Sequence, residues 1–212
     1  ANLVMVGEGL TDSELDAFYN EVVAAFTEAA ARISIGYGLD EAVQMGPLRD
    51  PGKKQRVVSY IEKGLAEGAT LRLDGRQFEL IGDYPRDALL GPTVFENVTN
   101  DMTIAQEEIF GPVVVVIRFS DDRELIKMAN STIYGLAAGI WTTNVKRAIN
   151  LAKAIKAGNI WVNTYNMIPN QAPFGGFKQS GVGREMSRHV MDLYTEVKNV
   201  MVYLGKGGVR WF

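Results

Sequence analysis

A chain of 212 residues, 47% hydrophobic and 22% charged, has the composition of a globular protein that can bury one sizeable core, which excludes wholesale disorder. A net charge of −3 with no Lys/Arg cluster offers nucleic acid no attractive field, and no apolar run approaches the roughly 20 residues of a membrane helix. The absence of cysteine removes disulfides, thiolate nucleophiles and cysteine metal sites, and the single His removes His-pair metal sites.

Residues 2–6 read as a short apolar strand. Their flank has no basic stretch, so no signal peptide is expected and the cytoplasm is the default location. Thr11-Asp-Ser-Glu14 is a capping box, and behind it Leu15, Phe18, Tyr19, Val22, Phe26, Ala29, Ala30 and Ile33 recur at helical spacing. Gly36-Tyr-Gly38 and Met45-Gly-Pro47 mark a loop. Asp50-Pro51 then reads as an N-cap with proline at the first helical position, opening a helix that turns Val57, Tyr60, Ile61 and Leu65 inward. Residues 69–73 alternate as a strand, Asp74-Gly75 signals a turn, and residues 76–89 read as an irregular surface excursion.

Residues 91–98 read as extended, and residues 113–119, apolar except for Arg118, as a fully buried strand. Asp121-x-x-Glu124 caps a helix to Asn130, residues 136–141 form a strand, and Asn144 caps a helix that stops at Gly158. This alternation predicts an α/β fold with a mostly parallel twisted sheet, right-handed crossovers and flanking helices. The apolar strand of Ile160, Trp161 and Val162 ends at the polar Asn163 and opens into a loop of aromatic and amide side chains. Gly175, Gly176, Gly181 and Gly183 follow, and a helix is expected to begin near Val182. Residues 196–204, with Val197, Val200 and Val202, are strand-like.

Two stretches could carry chemistry. In Gln106-Glu107-Glu108-Ile109-Phe110-Gly111-Pro112, a carboxylate could accept two hydrogen bonds from a ribose diol and the aromatic could pack on a flat heterocycle. Spacing alone favours the plainer reading, a short acidic helix solvated at the surface with Phe110 in the core. The second stretch is the loop of residues 163–185. Its glycines complete neither a phosphate loop, since Val182 stands where the Lys is needed, nor a dinucleotide fingerprint, since the third glycine is missing. Its aromatic and amide content (Tyr165, Asn166, Phe174, Phe177) points to a pocket wall. Ser180 lacks a nucleophile-elbow motif and His189 lacks a second ligand, so neither reads as catalytic. Glu185 reads as a salt-bridged residue at a helix start or as a proton acceptor reached through water.

Five of these segments resemble the second half of the aldehyde dehydrogenase superfamily in order and spacing. They are Glu107-Glu108-Ile-Phe110-Gly-Pro112, Tyr134-Gly-Leu-Ala-Ala138, Gly158-Asn-Ile-Trp-Val-Asn163, Pro173-Phe-Gly-Gly-Phe-Lys178 and Ser180-Gly-Val-Gly-Arg-Glu185. The resemblance implies a catalytic-domain fold over residues 1–194 and a C-terminal oligomerisation strand and tail over residues 195–212. It also implies oxidation of a small aldehyde to a carboxylic acid with NAD or NADP, through a cysteine thiohemiacetal that gives up hydride and a thioester that water hydrolyses.

By motif, Glu108 would hold the nicotinamide ribose and Phe110 would pack beside the nicotinamide. Tyr165, Met167, Ile168 and Phe174 would line the aldehyde tunnel, and Glu185 would sit near a proton-relay water. The backbone carbonyls of Lys178 and Gly181 match a potassium site of some members, and the last strand implies a homodimer or homotetramer. The family's nucleophilic Cys, its general-base Glu and most of its cofactor site have no counterpart in this sequence. The expectation is therefore a catalytic-domain half, inactive alone, that needs a missing N-terminal half as partner. The alternative is a non-catalytic truncated homologue acting as an interaction module.

Overall fold

A computed structural model describes residues 2–5 and 12–207. In chain order the elements are β1 (Asn2–Met5), α1 (Asp12–Ala31), β2 (Ile35–Gly36), α2 (Pro51–Ala66), β3 (Thr70–Leu73), β4 (Leu80–Ile81), β5 (Thr93–Glu96), α3 (Thr103–Gln106) and β6 (Val113–Val115). They continue with α4 (Asp122–Ala129), β7 (Ala137–Trp141), α5 (Val145–Ala154), β8 (Asn159–Val162), a 3-10 turn at Lys178–Ser180 and α6 (His189–Tyr194). The fold is mixed α/β, as the sequence predicts.

The strands form three small sheets rather than one. In the first, β7 lies between β1 and β8, all parallel; in the second, β5 lies between antiparallel β3 and parallel β6; β2 and β4 make a short parallel pair. Asp50 caps α2 by accepting from the Lys53 amide, with Pro51 at the first helical position; Asp121 caps α4 and Asn144 caps α5. The capping box of α1 includes Thr11, which lies outside the described residues.

Two cores hold these layers. One gathers Val57 and Ile61 of α2, Phe95 of β5, Ile104 of α3, Leu90 and Ile109; the other gathers Leu125 of α4, Ala138 and Ile140 of β7, Leu151 and Ile155. Among the described residues, no helix is long and apolar enough to cross a membrane.

Several expectations need correction. Only Val113–Val115 of the segment 113–119 is strand, and Val114 is 38% exposed. It forms the edge of its sheet, so the burial expected there falls instead on the central strands β5 and β7. Leu65 is exposed, because the core face of α2 runs through Val57, Ile61 and Gly64, where a side chain would collide with Ile104. In α1, Ala29 is exposed and Val23 is the most buried residue. The stretches read as loop around Gly36 and as irregular over 76–89 contribute β2 and β4.

No helix starts near Val182. Gly181, Gly183, Met186 and Ser187 all have positive φ, which breaks helical continuation, and α6 begins at His189. Residues 196–204 make no strand pairing among the described residues. A lone segment without a neighbouring edge cannot complete a ladder.

Candidate active site

The parallel strands β7 and β8 end together. Asn163 sits at φ 54° just past β8 and exchanges two side-chain hydrogen bonds with the backbone of Thr142, accepting from its N–H and donating to its carbonyl, each 2.9 Å. This explains the polar residue that closes an apolar strand: its amide imitates a further rung of the sheet. Trp161 donates its indole N–H to the Met167 carbonyl at 2.7 Å, drawing the following loop back over the strand. Tyr165 packs edge-on against Trp161, ring centroids 5.1 Å apart.

The loop is closed from the other side by the glycine-rich segment. Phe174 and Glu185 exchange backbone hydrogen bonds of 2.9 and 2.7 Å, and the Asn159 amide donates to the Gly175 carbonyl at 3.0 Å. Gly158 lies so close to that carbonyl that a Cβ would stand 1.8 Å from its oxygen, so only glycine fits there. Between strand and loop is a cleft of about 220 Å³, lined by Asn159, Trp161, Met167, Ile168, Pro169 and Phe174 among others, none with an ionisable side chain. Asn163 and Asn166 in the loop that leaves β8, and Met186 and Ser187 just after the Glu185 pairing with Phe174, are non-glycine residues held at positive φ. Strain of this kind gathers where a loop is held for function.

Of the residues proposed for an aldehyde, Met167, Ile168 and Phe174 share the cleft, and Tyr165 lies beside it on Trp161. The Glu185 carboxylate is exposed, with its backbone bound to Phe174. Lys178 extends away from the cleft, its ammonium donating to the carbonyls of Asn130 and Thr132 at 2.9 and 2.8 Å. Burial, then the nearby Lys156, lowers the Lys178 pKa. Gly181 sits at φ 133° with open space about it. Ser180 accepts from the Gly135 N–H and is thereby structural, and His189 is exposed.

Glu108 and Phe110 lie elsewhere, on the outer side of α2, and do not line this cleft. The plainer reading of their segment is half overturned. Glu107 and Glu108 are solvent-facing as it required, but α3 ends before them and Phe110 is 69% exposed at φ 57°. Ile109 takes the core position instead. A bulky aromatic kept out of the core in a left-handed conformation is a costly arrangement that packing alone does not require.

A family description, the aldehyde dehydrogenase family, matches residues 15–200. The chain belongs to the aldehyde dehydrogenase family. Betaine aldehyde dehydrogenase of Brucella anthropi is 48% identical over 184 residues, 87% of this chain and 38% of the relative. The NAD+ complex of aldehyde dehydrogenase from Bacillus cereus superposes with a TM-score of 0.83 at 44% identity, over 96% of this chain and 39% of that one. HpcC from Thermus thermophilus superposes with a TM-score of 0.85 at 37% identity, over 99% of this chain and 40% of that one. The chain thus spans about 38% of the length of the curated aldehyde dehydrogenase it matches.

Sequence reasoning missed the scaffolding of both stretches. Trp161 and Asn159 read as ordinary strand residues, and only the folded loop shows that their N–H groups hold the cleft. The α2 residues that support the Glu107–Phe110 turn are about 50 positions away, a distance that no local pattern spans.

Proposed function

We propose that this chain supplies the nicotinamide-ribose and aldehyde surfaces of a cytoplasmic enzyme that oxidises an aldehyde to a carboxylic acid with NAD(P)+. The observation that carries this reading is the uncharged cleft of Met167, Ile168 and Phe174 between β8 and the loop that follows it, in a chain of the aldehyde dehydrogenase family. Support for the cofactor comes from the NAD+-bound relatives and from this chain's own residues. The Glu108 carboxylate has no hydrogen-bond or ion-pair partner among the described residues, and the Phe110 ring is 69% exposed with the Lys53 ammonium over it. A carboxylate free to accept two hydrogen bonds beside an exposed ring fits a ribose diol joined to a flat heterocycle.

When bound, NAD(P)+ would accept the hydride from the substrate. This chain's residues would bind and orient: Glu108 the ribose, Phe110 the nicotinamide, and Tyr165, Met167, Ile168 and Phe174 the aldehyde's body in a site that excludes water. Glu185 would hold a water on the proton path, and the carbonyls of Lys178 and Gly181 would hold a potassium ion. The 212 residues contain no cysteine, so the chain alone has no thiol nucleophile and is proposed to be inactive without the rest of the family fold.

Residues 196–204 would pair with another subunit's sheet edge in a homo-oligomer. The exposed Val197, Val200, Val202 and Leu204 support that role, and they would equally support the second reading, a non-catalytic interaction module. NADH formation from a panel of aldehydes separates the two: the complete enzyme turns over and the 212-residue chain alone does not. A complete enzyme without aldehyde oxidation, or a chain that oxidises aldehydes by itself, would overturn the proposal.

A further inference from the structure

One side of α2 meets the segment Glu107–Gly111 at four positions of helical spacing: the outward 53, 56 and 60, and the buried Val57. Lys53 places its ammonium 5.3 Å from the centre of the Phe110 ring. Arg56 reaches the Glu108 carbonyl at 3.5 Å and lies over the Tyr60 ring. Gly111 is pressed against Val57 so closely that a Cβ would meet a methyl at 2.5 Å. Tyr60 donates its hydroxyl to the Glu107 carboxylate at 2.7 Å.

The contacts are unequal in kind. The guanidinium contact is at the limit of hydrogen-bond length and the lysine contact is diffuse. The Tyr60–Glu107 bond is short, charge-assisted and directional. The Tyr60 ring is itself seated against the core around Ile61 and Phe95, so its hydroxyl is a fixed point, unlike a long flexible side chain. Ile109, buried in the same core, fixes the other side of the turn. The two adjacent carboxylates are therefore in different states: Glu107 is held from below and Glu108 is left without a partner among the described residues.

We propose that Tyr60 and Glu107 form a strut that fixes the turn, so that Tyr60 is a positioning residue for the nicotinamide ribose and Glu108 alone meets the ligand. The inference rests on the cofactor reading given above. The strut removes freedom from a turn that must otherwise hold Phe110 at φ 57°, and a preordered Glu108 binds its ligand without first losing that freedom.

The test is a set of binding titrations on the complete enzyme with NADH, reduced nicotinamide mononucleotide and ADP, following ligand fluorescence or heat. Tyr60→Phe keeps the ring in its core seat and removes only the hydroxyl. It should weaken NADH and the mononucleotide about fivefold and leave ADP, which lacks the nicotinamide half, unchanged. Glu107→Ala should match it, Glu107→Gln, which keeps an acceptor oxygen, should stay within about twofold of the parent, and the Tyr60→Phe/Glu107→Ala double variant should be no weaker than either single one.

A merely structural role would weaken ADP in step with NADH, and that result overturns the inference, as does a Tyr60→Phe protein with unchanged NADH affinity. Should Tyr60→Phe fail to fold, the Glu107→Ala and Glu107→Gln pair at a solvent-facing position gives the same reading. Glu108→Ala separates the two levels. If it leaves NADH binding intact, the cofactor reading falls and takes the strut with it. If it weakens NADH while Tyr60→Phe does not, only the strut falls.

Discussion

Replacing Gly158 by alanine puts the packing of the candidate active site under a calculable load. The new Cβ would stand 1.8 Å from the Gly175 carbonyl oxygen, and to reach even 3.0 Å the glycine-rich segment must retreat from β8 by more than an ångström. That retreat breaks the hydrogen bond from the Asn159 side-chain amide to the Gly175 carbonyl and strains the backbone Phe177–Gly135 bond beside it. One lost hydrogen bond and a steric overload together give a destabilisation of about 2–4 kcal/mol. In a protein of this size that corresponds to a fall of roughly 5–15 °C in Tm.

Denaturant unfolding followed by circular dichroism measures the loss. The emission of Trp161 should change as well, because the loop it holds through Met167 moves with the segment. Gly38 is the control: a Cβ there meets nothing within 4 Å, so Gly38→Ala should stay within about 0.5 kcal/mol of the parent. If Gly158→Ala is as stable as Gly38→Ala and leaves the emission unchanged, the close approach that shapes the cleft is refuted.

Ile140→Ala removes a fully buried side chain from the centre of β7 and should cost about 2–5 kcal/mol in the same assay. Lys178→Met breaks the tie to the Asn130 and Thr132 carbonyls; because the site is largely exposed the loss should be about 1 kcal/mol, read by thermal unfolding. Asp121 has its pKa held below the ordinary 3.8 by the backbone N–H groups of Glu124 and Arg123, and Asp50 by the Arg49 side chain and the Lys53 N–H. A carboxylate whose folded pKa is depressed contributes stability that is present above the unfolded value and lost as pH falls through the folded one. Acid denaturation curves below 3.8 should therefore be less steep in the Asp50→Asn/Asp121→Asn variant. Ending the chain after Tyr194 should lower the mass of the assembled protein in light scattering, and an unchanged mass would count against residues 196–204 as the oligomer contact.

Much of the architecture follows from short-range chemistry. Asp50-Pro51, Asp121 and Asn144 announce three helix starts because a cap needs only its own next three residues, and all three side chains bond as expected. The apolar run at 113–119 misleads because hydrophobicity records the wish to be buried and not the position in the sheet; β6 occupies an edge, and β7, with a glycine and two alanines, takes the centre. The run of positive φ values from Gly181 to Ser187 is equally hidden, since Met186 and Ser187 carry no glycine signature. At the candidate site, aromatic and amide content alone points to Tyr165, Asn166, Phe174 and Phe177, of which Phe174 lines the cleft; Met167 and Ile168 come only with the family resemblance. The support of the Glu107–Phe110 turn has no such signal, because Tyr60 reaches it across 47 positions of chain.

A structure of the complete enzyme with NAD+ and an unreactive aldehyde analogue tests the central proposal most directly. The account predicts the Glu108 carboxylate about 3 Å from both hydroxyls of the nicotinamide ribose, Phe110 against the nicotinamide, and the analogue's body against Ile168 and Phe174. A cofactor bound away from Glu108, or an analogue bound away from Ile168 and Phe174, would contradict it.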